Sequence, residues 1–334
     1  MNLKDWKGIA VMIEQDEGIA QSISWELLGK SRDLADKCNE DLIAIILGNK
    51  NTKEIGEEAI QRGADISVVA DHELLGHYKY ETYTKVTMEI INEYKPSNLI
   101  FGASPNGRDL AGRLAVRAKA GLTADVVDLD ITKDGLMLGS VPGFGGSIVA
   151  VIKCETSRPQ MATVRPGIFT AKEIDTKRKG KIKNFKVKLD QSEISTHLIK
   201  KVVIETEDIS KAKRLVTAGR GVGNDLTQVK EIAELLDASI GVTRPLCDDG
   251  VLPRYHQVGS TGVTIKPKFS LVLGISGAMH FTSGIKDSDV IIAVNNDDKA
   301  IIFDYADYGV VGDVNEIMPK LIEKLKAKLL QEAK

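Results

Sequence analysis

The chain is poor in aromatic residues and cysteines, and it has no long apolar run. Of its 334 residues, 5% are aromatic, three are cysteine and five are histidine. No apolar run reaches the roughly 18–20 residues that a membrane-spanning helix needs, so we expect no membrane span. The cysteines Cys38, Cys154 and Cys247 are odd in number and lack metal-ligand spacing, which indicates reduced thiols. The histidines form no HxH or HxxxH pair, which argues against a zinc site.

The net charge is also close to zero, because 45 lysine and arginine residues face 47 acidic residues. This balance argues against nucleic acid as the main partner, since phosphate binding relies on a concentrated positive field. The first residues, MNLKDWKGIAVMIEQDEG, lack the basic stretch and apolar core of a targeting peptide. We therefore expect a cytoplasmic protein whose mature chain begins near Met1. At about 150 residues per domain, the length predicts two domains.

In the first half, apolar runs typical of buried strands alternate with helical periodicity. The runs lie at 8–14, 42–48, 66–71 and 98–104, and the helical patterns at 24–38, 53–63, 80–94 and 106–121. This alternation predicts a parallel sheet covered on both faces. Strand-like segments follow from residue 123 to 190 and at 200–206, and they either extend this sheet or lead to the second domain. The basic run at 176–188 indicates a solvated linker or strand face more than an anion site.

The second half repeats the pattern from about Asp208. Strands are predicted at 214–219, 238–243, 269–276, 289–295 and 308–312, and helices at 226–237 and from 314 onward. Asp313 and Glu316 fit a capping box at the start of the last helix. We therefore predict an α/β protein of two doubly wound domains, at residues 1–205 and 206–334. The first is Rossmann-like, of the nucleotide-hydrolase type, and the second contains a parallel sheet.

The chemistry is expected beyond the carboxyl ends of the strands, where ligands bind in such folds. The segment AGRGVGND (218–225) has glycines at 219, 221 and 223 that leave backbone N–H groups open before a helix, as suits a phosphate. A plain tight turn is the alternative, and Arg220 favours the phosphate because it can add charge-assisted hydrogen bonds.

Three more loops of the second domain have a similar character. They are GVTRPLCDDG (241–250), HQVGSTG (256–262) and GISGAMHF (274–281), and the last strands end at Asn295 and Asp313. Four such loops in order imply one elongated ligand with phosphates and a polar ring, and a dinucleotide fits. Cys247 is interpreted as an inert thiol. No Ser–His–Asp, Cys–His or paired-carboxylate arrangement stands out, so the chemistry is expected to be the cofactor's own.

These segments resemble one family. AGRGVG, GVTRPLCDDG, QVGSTG, GISGAMHFTSGIKDSD, IIAVNND and ADYGVVGDVNEIMPKL, in this order, are similar to the FAD domain of the electron-transfer flavoprotein alpha subunit. NLIFGASPNGRDLAGRLAVRAKAGLTADVVDLDI extends the resemblance into the first half. It implies an FAD in the second domain of this chain and a heterodimer with a beta subunit that packs on the first domain.

The resemblance also implies the cofactor-binding residues. Arg220 and the nearby helix start should lie along the FAD, Thr243 and Arg244 should reach the flavin, and Thr261 should hydrogen-bond flavin N5. The remaining FAD contacts that it implies are Val258, Gly259, Ser260, Ser276, Gly277, Ala278, Met279, His280, Phe281, Asn295, Asp313 and Val314. Many members read Gln-His where this chain has His280 and Phe281, so Phe281 replaces the family histidine near the flavin, and His280 would point about 100° away from that position.

The resemblance further implies partners. The redox partners of the family are acyl-CoA dehydrogenases of fatty acid β-oxidation and quinone reductases. In some anaerobic members electron bifurcation splits NADH oxidation between a ferredoxin or flavodoxin and an acyl-CoA dehydrogenase. A second FAD or an AMP in the partner subunit stays open, and so does the choice between simple carrier and bifurcating type.

Two other functions are alternatives at this point. One is a self-contained FAD- or NAD-dependent oxidoreductase, against which stands the absence of GxGxxG with an acid about 20 residues on. The other is a nucleotide-binding interaction module. The first domain lacks a good phosphate loop, and its best candidate, SPNGRD (104–109), is interpreted as a helix N-cap turn.

Overall fold

The computed structural model describes residues 3–143, 148–201 and 208–332. The chain separates into two compact units, residues 1–201 and 202–334. No helix among the described residues combines the length and apolar character required to cross a membrane.

The first unit is built on a parallel sheet. Its strands are β1 Ile9–Ile13, β2 Gln15–Asp16, β3 Ile19–Ala20, β4 Leu42–Gly48, β5 Ile66–Asp71, β6 Asn98–Gly102, β7 Leu122–Val126, β8 Asp128–Ile131, β9 Met137–Gly143, β10 Ile148–Ile152, β11 Gln160–Val164 and β12 Lys181–Asn184. Its helices are α1 Ser22–Cys38, α2 Thr52–Gln61, α3 Tyr80–Tyr94 and α4 Pro105–Ala118. Seven strands pair in the order β12-β5-β4-β1-β6-β11-β7, all parallel. The predicted parallel sheet is therefore confirmed.

The apolar runs are continuous because both faces of this sheet are buried. Alternate residues of β1 enter different cores: Ile9, Val11 and Ile13 pack with α1 and α2, whereas Ala10 and Met12 pack with α3 and α4. Helices that cover both faces produce this pattern in parallel sheets.

The strands after residue 123 belong to three different parts of the first unit. β7 and β11 extend the main sheet, β8–β10 form a separate antiparallel sheet in the order β10-β9-β8, and β12 joins the opposite edge. The strand predicted at 185–190 is wrong: after Asn184 the chain lies over the core, with Phe185, Val187 and Leu189 half-buried. Most of the strand predicted at 200–206 lies outside the described residues. In the basic run, Lys181 and Lys183 are exposed on the edge strand β12, where lysines discourage edge-to-edge pairing.

Asp65 is the centre of a hydrogen-bond network in the first unit. Its carboxylate accepts hydrogen bonds from Arg32 Nη1 at 2.6 Å, Arg178 Nη2 at 2.8 Å and the Leu42 amide at 2.9 Å. Burial raises the pKa of Asp65, but the hydrogen bonds from the Leu42 amide and from Arg32 outweigh it, so the pKa lies below its usual value.

We expect Asp65→Asn to lower the free energy of unfolding of the first unit by about 2 kcal/mol at pH 7, a value discounted for partial exposure. Because the pKa of Asp65 is lower in the folded than in the unfolded chain, its carboxylate stabilises the folded state at pH values above the unfolded pKa of about 3.9. This stabilisation is lost as the pH falls through the folded-state pKa. Urea unfolding should therefore separate variant and wild type at pH 7 and bring them together in acid. Asp130→Asn, which removes an exposed ion pair with Lys37, is the control and should change stability far less. Equal stability of Asp65→Asn and wild type at pH 7 would show that the hydrogen bonds of Asp65 do not stabilise the first unit.

The second unit has a five-stranded parallel sheet. Its strands are β13 Arg214–Ala218, β14 Ser239–Val242, β15 Phe269–Leu273, β16 Ile291–Asn295 and β17 Tyr308–Val311, and its helices are α5 Thr227–Leu236, α6 Arg244–Asp248, α7 Met279–Thr282 and α8 Val314–Glu332. The strand order is β14-β13-β15-β16-β17. Helices α5 and α8 cover one face, through Val229, Ile232, Met318 and Ile322 among others. On the other face the core is formed by loops and the short α7, including Val258, Ile275 and Phe281. Loop residues of the candidate site are therefore also core residues.

Candidate functional site

The carboxyl ends of all five strands of the second unit border one cavity of about 610 Å³. Because the strands are parallel, the loops that follow them meet at one edge of the sheet, where ligands bind in open α/β folds. This volume is in the range of cofactor pockets. The wall is formed by Gly219, Arg220 and Gly221 after β13, Thr243, Arg244 and Pro245 after β14, Gln257, Val258 and Thr261, then Gly274, Ile275, Ser276, Ala278, His280 and Phe281 after β15, Asn295, Asn296 and Asp297 at the end of β16, and Asp313, Val314 and Asn315 after β17.

Most of the residues predicted from the sequence line this cavity. They are Arg220, Thr243, Arg244, Val258, Thr261, Ser276, Ala278, His280, Phe281, Asn295, Asp313 and Val314. Gly259, Ser260, Gly277 and Met279 are not part of the wall. Whether each residue contacts a cofactor stays a prediction.

Two of these exceptions have a role in the packing of the loops. Gly259 has φ +134°, and a Cβ there would lie 2.2 Å from the carbonyl oxygen of His280. Gly277 has φ +88°, and its Cβ would lie 2.2 Å from the amide nitrogen of Ile302. Only glycine allows these approaches, so both residues position the loops through their backbone.

The expectation of open N–H groups in the first glycine loop is wrong. Gly219 N donates to Leu273 O at 2.9 Å, Gly221 N to Gly274 O at 3.1 Å and Gly223 N to Arg220 O at 3.1 Å. A Cβ at Gly221 would lie 2.9 Å from Gly274 Cα. Gly219 and Gly221 bring the loops after β13 and β15 into contact, and the sequence pattern is the same for close packing and for phosphate binding.

The helix start near Arg220 is also not part of the cavity wall. At the start of α5 the Thr227 amide already has a partner, because it donates to Asp225 Oδ1 at 2.9 Å. The first turn of α8 does line the cavity, with Asp313 capping it by accepting from the Asn315 amide at 2.8 Å. The predicted N-cap acceptor at Asp313 is confirmed, although its carboxylate puts a negative charge where the helix dipole alone would favour an anion.

Two arginines give the cavity its positive charge. Arg244 stands at the start of α6 and pairs with Asp248 at 3.1 Å, while Arg254 binds the other oxygen of that carboxylate at 3.0 Å. Among the described residues, Arg220 has no ion-pair partner. Nearby, burial and then the Asp248 charge raise the pKa of the Cys247 thiol, which supports the interpretation of an unreactive cysteine.

His280 and Phe281 both line the cavity, and whether His280 points away from the position of the family histidine stays a prediction. Phe281 is 5% exposed and packs in the core. His280 is exposed, and its Nδ1 lies 3.1 Å from Ser260 Oγ. Helix α7 has only four residues, Met279–Thr282, and its loop backbone places both side chains at the wall.

Asn295 fixes the neighbouring loops, because its Nδ2 donates to Ile275 O at 2.8 Å and its Oδ1 accepts from the Asp297 amide at 2.9 Å.

Sequence reasoning missed Gln257, which is 2% exposed and lines the cavity. Its Oε1, together with Thr243 Oγ1, is buried without a hydrogen-bond partner. Buried polar atoms normally find partners, so two orphans on one wall fit a bound polar group. It also missed Asn296, Asp297 and Asn315, which the rule of strand carboxyl ends could have found. A large cavity, two arginines and unpartnered polar atoms fit a dinucleotide with a polar ring.

The first unit differs at the corresponding place. Its strand order reverses between β1 and β6, and the cavity there measures only about 30 Å³. Tyr78 and Tyr83 line it, and Glu14 accepts a hydrogen bond from Ser104 Oγ at 2.6 Å. Ser104 caps α4 by accepting from the Gly107 amide at 2.9 Å, which confirms the predicted N-cap turn. A nucleotide would find neither room nor a free helix start here.

Comparison with known proteins agrees with this geometry. Residues 9–190 match the electron transfer flavoprotein domain, and residues 208–286 match the electron transfer flavoprotein FAD-binding domain. The chain is 41% identical over 334 residues to the electron transfer flavoprotein subunit alpha of Clostridium acetobutylicum, covering 98% of this chain and 99% of that protein.

Two further relatives carry different names. Protein FixB of Clostridium saccharobutylicum is 42% identical over 331 residues, covering 98% of each chain. The lactate dehydrogenase (NAD(+),ferredoxin) subunit LctC of Acetobacterium woodii is 36% identical over 326 residues, covering 96% of this chain and 77% of that one. With two domain families matched in order and near-complete coverage by its relatives, this chain belongs to the electron transfer flavoprotein alpha subunit family.

Proposed function

We propose that this chain binds one FAD in the cavity of its second unit and serves, with a beta subunit, as an electron carrier between redox proteins. The observation that carries the proposal is the cavity at the carboxyl edge of the five-stranded sheet, with Gln257 Oε1 and Thr243 Oγ1 buried and unpartnered on its wall. FAD, when bound, would accept and release the electrons. The residues of this chain would bind and tune the cofactor.

The roles of the residues follow from their charge and placement. Arg220 is exposed on the glycine loop and would bind phosphate oxygens, for which a guanidinium is well shaped. Arg244, oriented by Asp248, would favour negative charge on the ring. Asn295 and Asp313 hold the loops after β15, β16 and β17 in place and would lie near the adenosine portion. Phe281 would exclude water from one wall.

We assign the partner contact to the N-terminal domain predicted at residues 1–205. The support is β10, an edge strand of the small antiparallel sheet, where Ile148, Val149 and Val151 are 54%, 58% and 61% exposed. An uncovered apolar edge strand is typical of a surface that another chain covers. We propose that the beta subunit covers it, and that the beta subunit holds any second FAD or AMP, since the cavity where the strand order of the first unit reverses measures only about 30 Å³.

The electron donor and acceptor are a finer proposal. We infer an acyl-CoA dehydrogenase type flavoenzyme on one side, as in fatty acid β-oxidation, and a cytoplasmic location. The name of the A. woodii relative joins NAD(+) and ferredoxin, which supports electron bifurcation with NADH and a ferredoxin or flavodoxin as an alternative mode.

The test is to purify the chain together with its beta subunit and count flavins per heterodimer. We expect a yellow complex whose flavin bleaches on addition of an electron donor. One flavin per heterodimer would indicate a simple carrier, and two would indicate the bifurcating type. A colourless complex that takes up no FAD would contradict the proposal, and substrate turnover by this chain alone would favour a self-contained oxidoreductase.

A further inference from the structure

Gln257 stands out among the buried polar residues of the second unit because only half of its side-chain amide is partnered. It is 2% exposed, and its Nε2 donates to Thr261 Oγ1 at 2.8 Å while its Oε1 has no partner. The amide nitrogen thus faces Thr261, and the hydroxyl proton of Thr261 is left for another acceptor.

The backbone holds this pair in place. Gln257 O accepts from the Val263 amide at 2.7 Å, and Val258 N donates to Val242 O at 2.9 Å at the end of β14. A Cβ at Gly262 would lie 2.1 Å from Gln257 O, so the turn from Gln257 to Val263 is closed tightly. The backbone of this turn therefore places the two side chains next to each other at the cavity wall.

We propose that Gln257 is a positioning residue that fixes the hydroxyl of Thr261 as a hydrogen-bond donor toward the flavin. This inference rests on the proposed function, since it needs a flavin in the cavity. By donating to Oγ1, the Gln257 amide occupies lone-pair density there and directs the Thr261 proton into the cavity. A ring nitrogen of the oxidised flavin can accept a hydrogen bond from that hydroxyl, whereas the same nitrogen in the reduced flavin carries its own hydrogen.

A fixed donor at this place favours the oxidised flavin and lowers its midpoint potential. Without Gln257, the Thr261 hydroxyl can rotate and accept instead. Gln257→Leu should therefore raise the midpoint potential of the bound flavin. We expect the ratio of oxidised to reduced flavin at a given potential to change about threefold to tenfold, tenfold being about 30 mV for a two-electron couple.

The experiment is a double-mutant cycle in the purified heterodimer. Gln257→Leu, Thr261→Val and the double variant are loaded with FAD, and midpoint potential, FAD dissociation constant and flavin absorption spectrum are measured. We expect Gln257→Leu to shift the potential in the wild-type background and to leave it unchanged in the Thr261→Val background. Gln257→Met, of similar length, replaces Gln257→Leu if that variant fails to fold.

Matched controls lie outside the cavity: Gln228→Leu on α5 and Thr264→Val, which is exposed. Neither should change the potential. An unchanged potential in flavin-loaded Gln257→Leu, or a shift that persists in the Thr261→Val background, would overturn this inference but not the proposed function. A fall in potential would show that the amide presents its oxygen to Thr261 and would overturn it too. A wild-type heterodimer that holds no FAD would overturn the proposed function together with this inference.

Discussion

Arg244→Ala is expected to weaken FAD binding on the order of tenfold to a hundredfold and to lower the midpoint potential of the flavin that remains bound. The guanidinium lines the cavity although it is 59% exposed, and Asp248 orients it. A hydrogen bond to a charged group contributes about 1.5–3 kcal/mol, which gives this range in affinity. A cation beside the ring also favours the negatively charged reduced form by Coulomb attraction. FAD titration and a spectroscopic redox titration of the heterodimer measure both effects.

Arg254→Ala is the matched control for this experiment. Arg254 binds the same Asp248 carboxylate at 3.0 Å but is not part of the cavity wall. It should leave affinity and potential nearly unchanged. Arg244→Lys should recover much of the potential, since it keeps the charge, but less of the affinity, because it loses the planar fork. Wild-type affinity and potential in Arg244→Ala would remove Arg244 from the site.

Gly259→Ala is expected to have the largest effect on stability, lowering the free energy of unfolding of the second unit by about 3 kcal/mol or more. The residue has φ +134°, and the added Cβ would lie 2.2 Å from a backbone oxygen, that of His280. The strained backbone and the overlap add, and both displace the loop that carries Thr261. Loss of FAD should accompany the loss of stability.

Urea unfolding followed by circular dichroism measures the change in Gly259→Ala. Both tryptophans, Trp6 and Trp25, belong to the first unit, so their fluorescence follows that unit separately. Gly223→Ala is the control, because Gly223 also has positive φ, at +82°, but a Cβ there meets nothing within 4 Å. It should cost about 1 kcal/mol, from the backbone alone. Equal stabilities of the two variants would show that the contact with His280 O carries no energy.

Much of the fold could be predicted because the central strands of the first sheet, such as β1, β4 and β6, are buried on both faces. Runs such as Leu42–Gly48 are apolar throughout, and helical spacing between them leaves few alternatives to a parallel sheet. At 185–190 the alternation of apolar and charged residues predicts a strand that the structure does not contain, because this alternation is the same for a strand and for a segment that lies over a core. Sheet pairing is a tertiary property that this pattern does not contain.

The site was predictable in its place more than in its detail. Strand ends rich in glycine, hydroxyls and arginine indicate the edge of the sheet that binds a ligand. The N–H groups of Gly219 and Gly221 donate to the carbonyl oxygens of Leu273 and Gly274, which are far away in sequence, so spacing alone could not decide whether these N–H groups are open. Gln257 was missed for a related reason: its burial results from pairing beside Val242, and nothing local marks it as a core residue.

The exposed strand β10 has a consequence for the chain before it meets its partner. All five of its residues, Ile148–Ile152, are exposed, so free main-chain groups at the sheet edge are flanked by apolar side chains on both sides. Such a strand pairs readily with any similar strand, including its own copy on another molecule. Synthesis of this chain in excess of the beta subunit that we propose to cover β10 would then promote self-association, and balanced production of the two subunits would become a condition of solubility.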